Sequence, residues 1–131
     1  MHGLVTDIEG ATESNTDFRR VLYTGHNLQL VLMALQPGED IGAEVHKTHD
    51  QFFRVEKGRG EIVIDGNKTA IKDGWAMIVP AGARHNVTNT GDEPLRLYTI
   101  YAPPQHLDHI IKTTKAAAIA EPEQFDGKTS E

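Results

Sequence analysis

Not one of the 131 residues is a cysteine. Disulfides, thiolate metal sites and a catalytic thiol are therefore excluded, and a reducing, cytoplasmic setting is the expectation. Any metal site must be built from imidazole, carboxylate, amide or backbone oxygen. Long apolar runs are missing too, and none approaches the roughly 20 residues that cross a bilayer as a helix. The first stretch, MHGLVTDIEGATESNTD, lacks the basic block and apolar core of a secretory leader, so no membrane partner is expected. Basic excess is equally absent. The net charge is −6 at pH 7 and no basic stripe occurs, which argues against a nucleic-acid-binding surface. Half of that charge lies in the last eleven residues, EPEQFDGKTSE, where four acids stand against one lysine.

What is present reads as β structure almost throughout. A chain of this length makes one domain and buries about two-thirds of its unfolded surface. FRRVLYT (18–24) and LQLVLMALQ (28–36) are short apolar runs separated by the turn signal GHN. AEVH, QFFRVEKG, GEIVIDG, NKTAIKDG, WAMIVPAG, RHNVTNTG and LRLYTIYAPP follow, punctuated by Gly, Pro, Asn and Asp. Segments so short and so regularly broken predict an all-β sandwich or barrel. The clearest hairpin is GEIVIDGNKTAIKDG, with DGN as its turn. Residues 1–17 read as an N-terminal extension, 18–104 as the β domain, 105–120 as a short C-terminal arm or helix, and 121–131 as a disordered acidic tail.

Chemistry-bearing side chains concentrate in GAEVHKTHDQFF, residues 42–53. Side chains two apart on a strand share a face, so Glu44 and His46 point the same way and His49 falls out of phase. On the next strand Gln51, Phe53 and Val55 share one face, with Phe52 and Arg54 on the other. Much later, VPAGARHNVTN puts His85 at the start of a strand, two residues before Val87. Blander readings stand beside these: Glu44 as a solvated strand-edge acid, His46 and His85 as hydrogen-bonded core histidines, Gln51 as a hydrogen-bonding amide. His49 and Asp50 read as loop residues, either of which a bulge could turn inward in place of Gln51. His26, His106 and His109 read as surface or interface residues, and His2 as disordered.

These segments resemble the cupin superfamily. GWAMIVPAGARHNVTN fits the second cupin motif, G-x5-P-x-G-x2-H-x3-N, at Gly74, Pro80, Gly82, His85 and Asn89. The spacing of the first motif, G-x5-H-x-H-x(3 or 4)-E-x6-G, is present as Gly38, Glu44, His46, Gln51 and Gly58. Fifteen residues separate the motifs, the short gap common in microbial cupins, and with that gap they span about two-fifths of the chain. Flanking strands extend the likeness from Phe18 to Pro104. Two of the four metal positions depart from the pattern: Glu44 replaces the first histidine and Gln51 replaces the glutamate.

The resemblance implies a double-stranded β-helix, or jelly roll, in which Glu44, His46, Gln51 and His85 converge inside the barrel as metal ligands. Phe53, Val55, Val87, Tyr98 and Ile100 would fill the barrel or wall its pocket. Arg54 and Arg84 are out of phase with the cluster and belong to solvent or an interface. Two imidazoles and one carboxylate suit a divalent ion with open positions, Mn or Fe ahead of Ni or Zn. Three function classes follow. One is a metal-dependent isomerase, epimerase or dioxygenase acting on a small polar molecule, with Glu44 as a base if it is not a ligand. The second is a non-catalytic binder of a small molecule or metal, and the third a metal-free structural barrel. DQFFRVEKG and LYTIYAPPQH are similar to single-domain cupins labelled mannose-6-phosphate-isomerase-like, though no phosphate-binding motif accompanies them. Small cupins commonly form homodimers through strands near the N-terminus, here FRRVLYT and LQLVLMALQ.

Overall fold

Alternation of apolar side chains sets the strands, and β4 (Asp50–Lys57) illustrates it: Gln51, Phe53 and Val55 are buried while Phe52, Arg54 and Glu56 are only partly covered. The computed structural model describes residues 1–131 as ten strands and two short helices. In chain order they are α1 (Ile8–Ser14), β1 (Arg19–Thr24), β2 (Gln29–Leu35), β3 (Glu44–Val45) and β4. Then come β5 (Arg59–Ile64), β6 (Asn67–Lys72), β7 (Ala76–Val79), β8 (Arg84–Asn89), β9 (Leu95–Ala102), β10 (Ile111–Lys112) and α2 (Lys115–Ala120). All pairings are antiparallel and form two sheets, ordered β10-β1-β2-β9-β4-β7 and β3-β8-β5-β6. This is the double-stranded β-helix that the motifs imply.

The two sheets close on one apolar core. Val31, Met33 and Leu35 of β2, Phe53 and Val55 of β4, and Leu95 and Leu97 of β9 meet Ile62, Ile71 and Val87 from the smaller sheet. Each such side chain stabilises the fold by about 1.5–3 kcal/mol when fully buried. The β5–β6 hairpin turns on Asp65 and Gly66, both at positive φ (47° and 80°), the two-residue turn whose twist matches the strands. Gly60 lets β5 lie against β8, because a Cβ there would meet the Thr88 carbonyl at 2.4 Å.

The chain ends differ from the sequence expectation. Only Lys115–Ala120 of the C-terminal arm is helical, capped by the Thr114 hydroxyl, which accepts from Ala117 N at 3.1 Å. The preceding residues are extended and add β10 to the edge of β1, with Arg20 opposite Ile111. Neither N-terminal strand therefore has a free edge: β1 lies between β10 and β2, and β2 between β1 and β9. The segment after Glu121, whose composition predicts disorder, packs back on the barrel. Phe125 N donates to the Gln105 carbonyl (3.0 Å), Ser130 N to the Thr24 carbonyl (2.9 Å), and Tyr23 hydroxyl to Glu131 (2.6 Å). Its acids find specific donors, which composition does not report. Helix α1 covers part of the outer face of the large sheet, where Arg96 hydrogen-bonds the Glu13 carbonyl. No helix is long and apolar enough to cross a membrane.

Candidate metal centre

Three elements bring the polar cluster together. Pairing of β3 with β8 sets Glu44 directly opposite His85. His46 lies just beyond β3 in phase with Glu44, and its carbonyl accepts from Gly82 N at 2.8 Å. Gly82 adopts φ +90°, so the turn before β8 reaches back to hold His46 only because that position has no side chain to strain. Gln51 enters from β4, opposite Tyr101 of β9.

The resulting geometry is tight. Glu44 Oε2 is 2.9 Å from His46 Nε2 and 4.0 Å from His85 Nε2, and one donor atom from each of these residues lies within 4.8 Å of the others. Gln51 Oε1 is 3.1 Å from His85 Nε2. The rings of His46 and His85 have centroids 5.5 Å apart, Tyr101 stands edge-on to His46, and Phe53 packs edge-on against His85. His85 is 1% exposed, whereas the Glu44 side chain is 30% exposed and forms the open side of the cluster.

Hydrogen-bond directions decide what this cluster can hold. Thr99 donates its hydroxyl proton to the Phe52 carbonyl (2.8 Å), so it can only accept from Gln51 Nε2 (2.9 Å). The amide is thereby oriented with its oxygen toward His85. His85 has an acceptor at each ring nitrogen, the Ala83 carbonyl 3.3 Å from Nδ1 and Gln51 Oε1 3.1 Å from Nε2; with the proton on Nδ1 the Nε2 lone pair is free for a cation. Burial lowers the His85 imidazole below its ordinary value despite the Ala83 carbonyl and the Glu44 charge, so the neutral ring is favoured. Burial alone would raise the Glu44 carboxyl. The His46 hydrogen bond and the charges of His46, His85 and Arg19 outweigh it and hold the group below its ordinary value. In the tautomer protonated at Nδ1, lone pairs of His85 Nε2 and Gln51 Oε1 face each other with a carboxylate oxygen beside them. Acceptors in that arrangement suit a cation between them, and the donor set fits a divalent ion.

Other residues singled out from the sequence lie elsewhere. His49 turns away, with Nε2 3.0 Å from the Pro104 carbonyl and Nδ1 3.1 Å from Thr48 hydroxyl. Asp50 accepts from Ala81 N and fastens the loop before β8. Phe53, Val55 and Val87 lie in the core, but Tyr98 and Ile100 do not face the pocket. They sit on the outer face, opposite Leu32 and Leu30, and the inward residues of β9 are Leu97, Thr99 and Tyr101. In LRLYTIY both faces are apolar because the outer one is half-covered, so alternation alone does not give the phase. His106 is buried, contrary to the surface reading, and its Nδ1 is 2.8 Å from Glu123 Oε1.

Sequence reasoning missed Tyr101, Arg19, His106 and Glu123. Burial pushes the Tyr101 hydroxyl well above its ordinary value, and its ring stands edge-on to both His46 and His106. A signal existed for Arg19, which is in phase with the buried Val21 on β1 and must turn inward with it. None existed for the pairing of His106 with Glu123, seventeen residues away.

Known proteins resemble this chain in sequence and fold. Residues 31–101 match the family model of the cupin domain. The protein YrkC of Bacillus subtilis is 47% identical over 122 residues, covering 88% of this chain and 66% of YrkC. Protein L612 of Acanthamoeba polyphaga mimivirus is 39% identical over 106 residues, covering 78% of this chain and 66% of L612. The chain thus spans about two-thirds of the length of these curated relatives. The crystal structure of BH2720 from Bacillus halodurans superposes with a TM-score of 0.90 at 47% identity, covering 92% of this chain and 96% of that one.

Proposed function

This chain belongs to the cupin superfamily, and from that premise we propose that it is a metal-dependent enzyme acting on a small polar molecule, with Glu44, His46 and His85 as ligands of one divalent ion. The observation that carries the reading is the convergence of ligand atoms: Glu44, His46 and His85 each place one within 4.8 Å of the others, with Gln51 Oε1 3.1 Å from His85 Nε2. Two imidazoles, a carboxylate and an amide oxygen favour Mn(II) or Fe(II) over Cu(II). Bound there, such an ion would supply Lewis-acid polarisation of a carbonyl or hydroxyl oxygen.

The chain's own residues have distinct tasks. His85 and Gln51 are fixed by Ala83 and Thr99 and present their acceptors without rearrangement. Left off the ion, Glu44, on the open side and ionised, would instead be the group to take or return a proton of a bound substrate, in an isomerase- or epimerase-type reaction. Tyr101 and Phe53 close the inner side against water. A homodimer belongs to the same proposal. Leu30, Ile100, Phe52 and Ile78 are neighbours across four strands on the outer face of the large sheet, and a second copy would cover that row. Light scattering that gives a monomer mass would remove that part.

Elemental analysis of protein purified without an affinity tag tests the central reading. Near-stoichiometric Mn, Fe, Ni or Zn, lost in His85→Ala, is the expected result. A protein that holds no divalent metal even after incubation with these ions would leave a binding or structural barrel.

A further inference from the structure

A cavity of about 250 Å³ leads from the surface to the open side of the polar cluster. Its inner wall includes Glu44 and Arg19 from the barrel, and its outer wall Ala118 and Ile119 of α2 together with Glu123. The size is below that of pockets for drug-sized ligands and suits a small metabolite.

Arg19 is the unusual member of this wall. Its side chain is only 11% exposed, its Nε has no hydrogen-bond partner, and the nearest carboxylate oxygen, Glu123 Oε1, is 3.8 Å away. That same oxygen already accepts from His106 Nδ1 at 2.8 Å. A guanidinium presents five donors in a planar fork matched to a carboxylate, and burying them without acceptors is unfavourable. The lysine of the wall, Lys115, is held by Asp40. A dianion would therefore meet Glu123 and Glu44 with a single uncommitted cation to balance it. A single negative charge matches one guanidinium, and Phe18, Ile41 and the α2 side chains offer apolar surface to an aliphatic body.

We propose that this cavity binds a small organic monocarboxylate, its carboxylate held by Arg19 and its other end directed toward Glu44, His46 and His85. The proposal names the substrate class of the centre described above and rests on reading that centre as the place where the small molecule acts. Arg19 is then a binding residue, and α2 with Glu123 is the wall that makes the cavity small.

Butyrate and its neutral isostere butyramide are the probes, titrated by calorimetry into the full chain after dialysis against a chelator. With no ion present to take the carboxylate, binding reports on the protein's own cation. Butyrate is expected to bind saturably, and butyramide about tenfold more weakly or less, as for loss of a charge-assisted bond. Arg19→Gln should reduce butyrate to the level of the amide. Should that variant fail to fold by circular dichroism, Ile119 decides, because it is 68% exposed at the cavity rim and tolerates substitution. Ile119→Glu should weaken butyrate and Ile119→Lys strengthen it, with butyramide unmoved by either. Equal binding of the two probes, no saturable butyrate binding, or full butyrate binding in Arg19→Gln would overturn the proposal. Butyrate that binds only after Mn(II) is added, and equally to Arg19→Gln, overturns the role of Arg19 while leaving the metal centre standing.

Discussion

Two buried clusters in this barrel are built from the same residue types and do opposite things. In one, His106 meets Glu123 with Arg19 beside them. In the other, His85 meets Glu44, His46 and Gln51. The difference lies in where the Nδ1 proton goes. His106 gives it to the Glu123 carboxylate at 2.8 Å, so donor faces acceptor, and Arg19 lies 3.8 Å from that oxygen with its Nε unpartnered. His85 Nδ1 faces the Ala83 carbonyl, and with the proton there the Nε2 lone pair turns toward two more acceptors. The first cluster is a charge-assisted hydrogen bond that fastens the C-terminal segment to the barrel. The second gathers acceptor atoms around one point. A histidine beside a carboxylate is therefore not a ligand by composition, and the backbone partner of the other ring nitrogen decides.

The sharpest way to break this comparison is to remove the partner in the fastening cluster. Glu123→Ala leaves the buried His106 Nδ1–H without its acceptor and is expected to cost about 2 kcal/mol in chemical denaturation. A loss under about 0.5 kcal/mol would mean that the pair is as weak as an exposed one. The candidate metal centre should respond differently. Thr99→Val releases the Gln51 amide from its fixed orientation and is expected to lower Mn(II) affinity about tenfold by calorimetry, with little change in stability. Unchanged affinity would remove Gln51 Oε1 from the site.

Acidification gives a smaller, graded effect. The folded-state value of His106 is held below the ordinary 6.5 by burial, although Glu123 opposes it, and Glu123 is held below 4.5 by the His106 hydrogen bond. Both folded values are depressed, so as pH falls the unfolded chain takes up protons before the folded one does. Stability is full above about pH 6.5 and is lost progressively as pH falls through the folded values. Urea titrations from about pH 7.5 down to about pH 5 should show this decline, and a flat profile would contradict the burial of a neutral His106. Smallest of all is Lys68→Ala, which breaks an exposed pair with Glu61 at 3.5 Å and should change stability by less than about 0.5 kcal/mol.

The barrel was legible because each strand is short, alternating and bounded by a turn, and because the motif glycines mark turns that the fold needs. Gly82 is the clearest case: its φ of +90° lets its N–H reach the His46 carbonyl. Glu44 and His46 were legible from their period-two phase, and His85 from its position before Val87. What was not legible depends on long-range pairing. LRLYTIY is apolar on both faces, so Tyr98 and Ile100 could not be told from Thr99 and Tyr101 until β2 and β4 were seen on either side. HLDHIIKTTKAAAIA has a helical pattern throughout, yet pairing with β1 holds Ile111 and Lys112 as strand and the Thr114 cap delays the helix to Lys115. The acidic tail looked unstructured because composition does not reveal that His106 waits for Glu123, or Tyr23 for Glu131.

The central claim is that one cluster is a cation site and the other a closed hydrogen-bonded pair. Anomalous diffraction at the Mn edge, from crystals grown with Mn(II), tests both halves at once. The expected result is one strong peak bonded to Glu44, His46 and His85, with Gln51 Oε1 in contact and nothing at His106. No peak in the barrel, or a peak between His106 and Glu123, would contradict the account.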